Sequence, residues 1–164
     1  MLEWLSSKMA VAVAAMLMLS SVTLYFANQR ESVRRTEIEN VGRGIADFVD
    51  GVLGLSGEVE FVAGCGGEVG LLLPSEIGGS SYSIRLRRDS VIVTQQDRTS
   101  VNHWTGDLHL WHAGDTVFDI DEIERLDAEY PSLELSPCQR FEIGLEEIEL
   151  GGSAQLLAFA NAED

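Results

Sequence analysis

Three patterns of apolar and polar residues follow one another along the chain. In the first, residues 9–27 form a run of 19 without a charged side chain. As an α-helix this run spans about 29 Å, close to the hydrocarbon thickness of a bilayer. Its polar members Ser20, Ser21 and Thr23 can bond the helix's own carbonyl oxygens. The pattern predicts a transmembrane helix, preceded by a tail at residues 1–8.

A cleaved secretory signal is the alternative interpretation of this run. Such a signal has an apolar core of about 7–15 residues, followed by a small-x-small cleavage site. Here the run is longer, and Tyr25-Phe26-Ala27 places a bulky ring where a small residue is required. We therefore interpret residues 9–27 as a retained anchor.

In the second pattern, residues 28–57, apolar side chains recur at steps of three and four, as in an amphipathic helix. Gly42 and Gly44 each weaken a helix by up to about 1 kcal/mol relative to alanine, so they either allow a bend or permit close packing. Gly51, Gly54 and Gly57 mark its end. This pattern predicts a helical stalk whose apolar side packs on the domain that follows it. Its apolar stripe consists of Ile38, Val41, Ile45, Phe48, Val49, Val52 and Leu53.

In the third pattern, from Glu58 onward, the period shortens to two, which predicts strands. The clearest pair is Tyr82–Leu86 with Val91–Val93, joined by a turn at Arg88-Asp89. Residues 121–130 predict a helix that Asp119 or Asp121 can cap. Shorter strand-like segments are 59–62, 71–73, 108–111, 117–120, 140–143, 147–150 and 155–160. We therefore expect an α+β fold: a long N-terminal helix, transmembrane and then amphipathic, followed by a small antiparallel β-rich domain at residues 58–164.

The formal net charge of −16 narrows the range of partners. All acidic residues except Glu3 lie beyond the apolar run, and such a surface repels phosphate backbones. We therefore expect no nucleic-acid partner. The basic patch of the domain consists of Arg85, Arg87 and Arg88. We predict that it contacts the acidic face of a neighbouring copy; the alternative is that these charges guard a hairpin edge against wrong pairing.

The two cysteines, Cys65 and Cys138, lie 73 residues apart, and neither belongs to a Cys-x-x-Cys pair. In an oxidising exterior one disulfide is the simplest interpretation. The alternative is two buried thiols that never meet. Closing a loop of this length would contribute roughly 4 kcal/mol in the chain-entropy model.

Two groups of residues are candidate cation sites. His109 and His112 lie three apart and could share a metal on a helix, but the segment alternates like a strand, so we favour packing beside Trp104 and Trp111. An acidic cluster could hold calcium, but the EF-hand pattern is missing and a solvated face is the default. We expect no cofactor and, with no convincing nucleophile and base, no enzyme. The acidic cluster consists of Asp115, Asp119, Asp121, Glu122 and Glu124.

The whole plan resembles type IV pilins, in particular the pilin-like membrane proteins of archaea. The resemblance is carried by the apolar run and by two segments, Glu39–Asp50 and Leu73–Ile84, within roughly the first 95 residues. It implies a cytoplasmic N-terminus, an extracellular domain and assembly through helix packing. The chain departs from the family in having no glycine in Ser6-Ser7-Lys8-Met9, before the run, and no glutamate early in it.

The expected function is therefore structural: a single-pass, pilin-like subunit or accessory component of an archaeal surface filament or secretion machine. Its partners would be the lipid bilayer and other copies or related subunits. The alternative is a monomeric membrane-tethered extracellular domain that binds a partner or a cation. Arg30, Arg34, Arg35 and Arg43 follow the apolar run, and the positive-inside rule by itself would place them in the cytoplasm.

Overall fold

The computed structural model describes residues 2–66, 69–111 and 117–162, without the side chains of residues 2–12, 14 and 15. Over these residues a long helix precedes a β-rich domain with one further helix, which confirms the predicted α+β class. The elements are α1 (Leu2–Leu53), β1 (Val59–Gly64), β2 (Leu71–Leu72), β3 (Ser83–Leu86), β4 (Ser90–Gln95), β5 (Arg98–His103), β6 (Leu108–His109), β7 (Val117–Phe118), α2 (Ile120–Glu129), β8 (Leu133–Leu135), β9 (Phe141–Leu150) and β10 (Ser153–Ala162).

The chain divides into two compact units, Met1–Thr36 and Glu37–Asp164, and α1 contributes to both. Within the described part of the chain, no helix combines the length and the apolar content of a membrane span. The predicted span at 9–27 includes residues 9–12, 14 and 15, whose side chains lie outside that part.

In the first unit, the hydroxyl groups bond as predicted from the sequence. Ser20 donates to the carbonyl of Met16 at 2.8 Å, and Ser21 donates to that of Leu17 at 2.7 Å. Thr23 donates in the same way to Leu19. The large apolar side chains described within residues 13–26 are 51–71% exposed. They are Val13, Met16, Leu17, Met18, Leu19, Val22, Leu24, Tyr25 and Phe26.

The second unit contains two sheets. The larger sheet has the strand order β2-β1-β9-β10-β6, with β7 also beside β9. Its long pairs, β1 with β9 and β9 with β10, are antiparallel, whereas the short strands β2, β6 and β7 join in parallel. The smaller sheet is antiparallel throughout, in the order β5-β4-β3-β8.

The last part of α1 and the inner faces of both sheets share one core. All seven residues of the predicted stripe belong to it, and Ile45 and Val49 are completely buried. The larger sheet contributes Phe141, Ile143 and Leu145 from β9. The amphipathic pattern of the stalk therefore reflects burial within its own domain. The smaller sheet contributes Ile84, Leu86, Val91, Val93 and Leu135.

A second apolar cluster lies on the opposite face of the larger sheet. Successive residues of a strand point to opposite faces, so Ile148 lies across the sheet from Leu145. Helix α2 covers this part of the face through Ile123. The larger sheet is thus covered on both sides over part of its area. The cluster consists of Trp111, Phe118, Ile123, Ile148 and Phe159.

Several sequence predictions need correction in detail. The predicted hairpin is confirmed as β3 and β4, and Tyr82, Ile84 and Leu86 are buried along one face. The segments 140–143 and 147–150, however, form one continuous strand, β9. Strands β5 and β8 were not predicted, and α2 begins at Ile120, inside the predicted strand 117–120. Asp119 occupies the N-cap position but makes no side-chain capping bond.

Tyr82 anchors the segment that precedes the hairpin. Its hydroxyl donates to the Pro74 carbonyl at 2.6 Å, and the side chain is 4% exposed. Burial raises the pKa of Tyr82 to about 12, because the phenolate would lose its hydration. The hydroxyl therefore stays a hydrogen-bond donor throughout the neutral range.

Gly42 and Gly44 differ in their surroundings, and this resolves the alternative left open by the sequence. A Cβ atom at Gly42 would overlap the side-chain amide of Asn102 on β5, whereas at Gly44 it would meet nothing within 4 Å. Gly42 therefore permits close packing of α1 against the smaller sheet.

We predict that Gly44→Ala raises the free energy of unfolding by up to about 1 kcal/mol, because alanine favours the helix. Gly42→Ala should gain less or lose stability, because the Asn102 amide must give up its 3.0 Å bond to the Ser100 hydroxyl. Urea unfolding followed by tryptophan fluorescence measures both. In an Asn102→Ala background the two glycine substitutions should become similar; an unchanged difference would contradict the packing explanation.

Candidate functional site

Cys65 and Cys138 form a disulfide, as the sequence predicted, with Cα atoms 4.6 Å apart. Cys65 directly follows β1, and Cys138 lies in the connection from β8 to β9. The bond therefore holds the end of β1 beside the segment that leads into β9. Cys138 has a φ of 65°, an uncommon conformation for a residue with a side chain.

The three predicted self-association arginines lie together at the end of the hairpin, and all are exposed. Arg85 pairs with Glu134 on the adjacent strand β8 at 2.6 Å, and Arg88 pairs with Asp107 at 2.9 Å. The hydrogen bond to Asp107 raises the pKa of Arg88. Arg87 has no ion pair within the described part of the chain. The predicted contact with a neighbouring copy would thus act mainly through Arg87.

Asp127, on α2, is the centre of a polar network that the sequence did not reveal. Its Oδ1 lies 2.8 Å from Nδ1 of His109 and accepts from Nε1 of Trp111 at 2.9 Å. Its Oδ2 lies 3.3 Å from Nη1 of Arg88. The side chain of Asp127 is 15% exposed and that of His109 only 6%. The carboxylate of Asp127 therefore connects α2 to three parts of the chain: strand β6, Trp111 after this strand, and the hairpin turn at Arg88.

The carboxylate of Asp127 determines which ring nitrogen of His109 carries a proton in this contact. A carboxylate only accepts hydrogen bonds, so Nδ1 of His109 carries a proton. The ring also packs between Trp111 and Phe159, with centroids 5.7 and 5.5 Å away. One signal could have found this network: Asp127 lies four residues after Ile123, on the buried side of α2, where a carboxylate needs partners.

The two histidines weighed as metal ligands, His109 and His112, are not brought together in the described part of the chain. His109 is bound to Asp127, and His112 lies outside the described residues, as does Asp115. His103 lies on β5, with Nδ1 3.9 Å from Asp89. No group of three or more His, Cys, Asp or Glu side chains that could hold a metal ion is found among the residues described.

The remaining acidic cluster surrounds the start of α2. Asp119, Asp121 and Glu122 line an open depression together with Arg125, which lies 3.5 Å from Glu122. This position places negative charge beside the positive end of the helix dipole, where it is favourable. The cluster can therefore be explained by helix stability.

Within the part of the chain that the structure describes, the outer face of the smaller sheet is uncovered. The registers place Arg85, Ile92 and Val101 in one row across β3, β4 and β5. Val101 is 50% exposed, and the Arg85–Glu134 pair extends the row. Arg87 directly follows β3, and its N–H donates to the Ser90 carbonyl at 2.7 Å, so it continues the hairpin pairing beside this face. This face thus has an apolar centre and a charged border.

Beyond the part that α2 covers, no described residue packs over the outer face of the larger sheet. Glu60, Gly144 and Phe159 lie in one row across β1, β9 and β10, and this row crosses a groove of about 410 Å³. Glu58 and Glu146 also line the groove. A Cβ at Gly144 would lie 2.8 Å from the Val59 carbonyl oxygen, so the backbone of β1 leaves no space for a side chain at this position of β9.

No protein-family model matches the chain, and comparison with curated proteins and with solved structures finds no match. The function is therefore argued from the residues of the chain and their arrangement.

Proposed function

We propose that the chain is a membrane-anchored, pilin-like structural subunit with its β-rich domain outside the cell. The observation that carries the proposal is helix α1, one element of 52 residues with two different surfaces. Over Val13–Phe26 it exposes large apolar side chains, and from Ile38 to Leu53 its apolar stripe is packed in the domain core.

The exposed part of α1 suits a lipid or protein environment. Each large apolar side chain transferred from water gains about 1.5–3 kcal/mol when fully buried, so nine of them in water would be unfavourable. The three hydroxyl groups in this part bond within the helix, which removes the cost of placing them in hydrocarbon. Both features support an anchor at residues 9–27.

The disulfide supports the external placement of the domain. Such bonds persist in oxidising surroundings and are rare in the cytosol, where thiols are kept reduced. The arginines that follow the apolar run favour the opposite orientation. An experiment on intact cells separates the two.

Immunogold electron microscopy of intact cells, with an antibody against residues 58–164, tests this proposal. We expect gold along surface filaments. A Leu17→Arg/Leu19→Arg variant should abolish surface labelling, because the two charges prevent anchoring; Asn40→Asp, on the exposed side of the stalk, is the matched control. Gold that appears only after the cells are opened would overturn the external placement.

A monomeric, membrane-tethered domain is the second candidate. It is favoured by the ion pairs of Arg85 and Arg88 within their own chain, which leave less charge for a neighbouring copy. Evenly scattered gold, without filaments, would support this candidate and contradict assembly.

A further inference from the structure

We infer that copies of this chain associate through the two uncovered sheet faces. The outer face of the smaller sheet of one copy docks on the groove in the outer face of the larger sheet of the next. This inference rests on the proposed function, since it specifies how the external domains of an assembling subunit contact each other.

The docking face of the smaller sheet has the composition of an interface. Its centre is apolar, with Ile92 partly buried and Val101 half exposed, and its border is polar. Arg87 stands at this border without an ion pair among the described residues. A positive charge on a domain with a large excess of acids is complementary to the other surfaces of the same protein.

The groove of the larger sheet offers the opposite charge. Glu58, Glu60 and Glu146 line it, and none of the three has an ion pair in the part of the chain that is described. Phe159, at the end of the same row, is buried in the second apolar cluster and bounds the groove on that side.

The two faces differ, so the contact between them is heterologous. When two copies dock, one of them keeps an unoccupied groove and the other keeps an unoccupied face of the smaller sheet. A further copy can therefore bind at either end. Both faces point away from the core that they share with α1. The geometry thus points to an open chain of domains, in addition to any contact between the helices.

Charge reversal on each face tests the inference with the full-length protein in detergent micelles. Sedimentation velocity at low salt should show that the wild type self-associates. Arg87→Glu alone, and Glu60→Arg/Glu146→Arg alone, should each weaken association about tenfold or more. An equimolar mixture of the two variants should restore association. In one type of contact, the reversed face of the Arg87→Glu variant meets the reversed groove of the Glu60→Arg/Glu146→Arg variant, and their charges are again opposite. In the other type of contact, the two faces that were not changed meet. Higher salt should reduce all these differences.

The control is Arg125→Glu, an exposed charge reversal on α2 outside both faces, which should leave association unchanged. Association of the wild type that neither variant weakens, or that the mixture fails to restore, would overturn this docking while the proposed function stands. A wild type that stays monomeric in micelles would overturn this docking, and if it also forms no filaments on cells, the proposed function is overturned with it. Each variant should keep the wild-type unfolding midpoint, since the exchanged side chains are exposed or line an open groove.

Discussion

Replacing Asp127 by alanine should lower the free energy of unfolding by about 2–5 kcal/mol, the largest effect that we expect from a single side chain in this domain. The carboxylate accepts from His109 and from Trp111 and lies beside Arg88. Without it, the two buried ring N–H groups lose their acceptor and keep the cost of desolvation. Urea unfolding followed by tryptophan fluorescence measures the loss.

Two substitutions make this measurement specific. Asp127→Asn keeps one acceptor oxygen but removes the charge, so its loss should be intermediate. Glu124→Ala, on the exposed side of the same helix, should change stability by no more than about 0.5 kcal/mol. If Asp127→Ala costs no more than Glu124→Ala, the network contributes nothing to folding.

Removing the disulfide should cost roughly 4 kcal/mol, because the unfolded chain regains the entropy of a 73-residue loop. We expect Cys65→Ser/Cys138→Ser to unfold at a lower urea concentration than the oxidised wild type. Within the native fold the bond holds the end of β1 beside the start of β9, where Ala63 pairs with Phe141. This end of the larger sheet should therefore lose hydrogen-exchange protection first.

Reducing agent provides the control for the disulfide. Dithiothreitol should shift the unfolding midpoint of the wild type toward that of the double cysteine variant and leave the variant itself unchanged. A wild type that unfolds at the same urea concentration with and without the reductant would show that the crosslink does not stabilise the domain.

Local patterns predicted the long helix, its buried stripe and the central hairpin. A helix repeats its face every three to four residues and a strand every two, so each signal lies within a few residues along the chain. Tyr82, Ile84 and Leu86 alternate with exposed neighbours, and they are buried as expected. The disulfide was also anticipated, since the chain contains only two cysteines.

Strand β5 shows why other elements escaped prediction. Its inward-facing residues are Arg98, Ser100 and Asn102, which are polar, so the alternation of apolar and polar residues is missing. The strand forms because β4 supplies a partner edge, and because Gly42 lets α1 approach Asn102 closely. Strand β9 was divided in two, although one pairing with β10 continues along its whole length.

The candidate sites also differ in how much of them the sequence could predict. The sequence identified Arg85, Arg87 and Arg88 as one patch, because they are neighbours along the chain. Only the folded chain shows that two of them are neutralised by Glu134 and Asp107, and that Asp127 binds residues 16 and 18 positions away. Periodicity is a property of short segments, and it predicted the helix and the hairpin, whereas the presence of only two cysteines favoured the disulfide. Charge pairing and sheet coverage depend on which distant segments meet, and that is decided by tertiary packing.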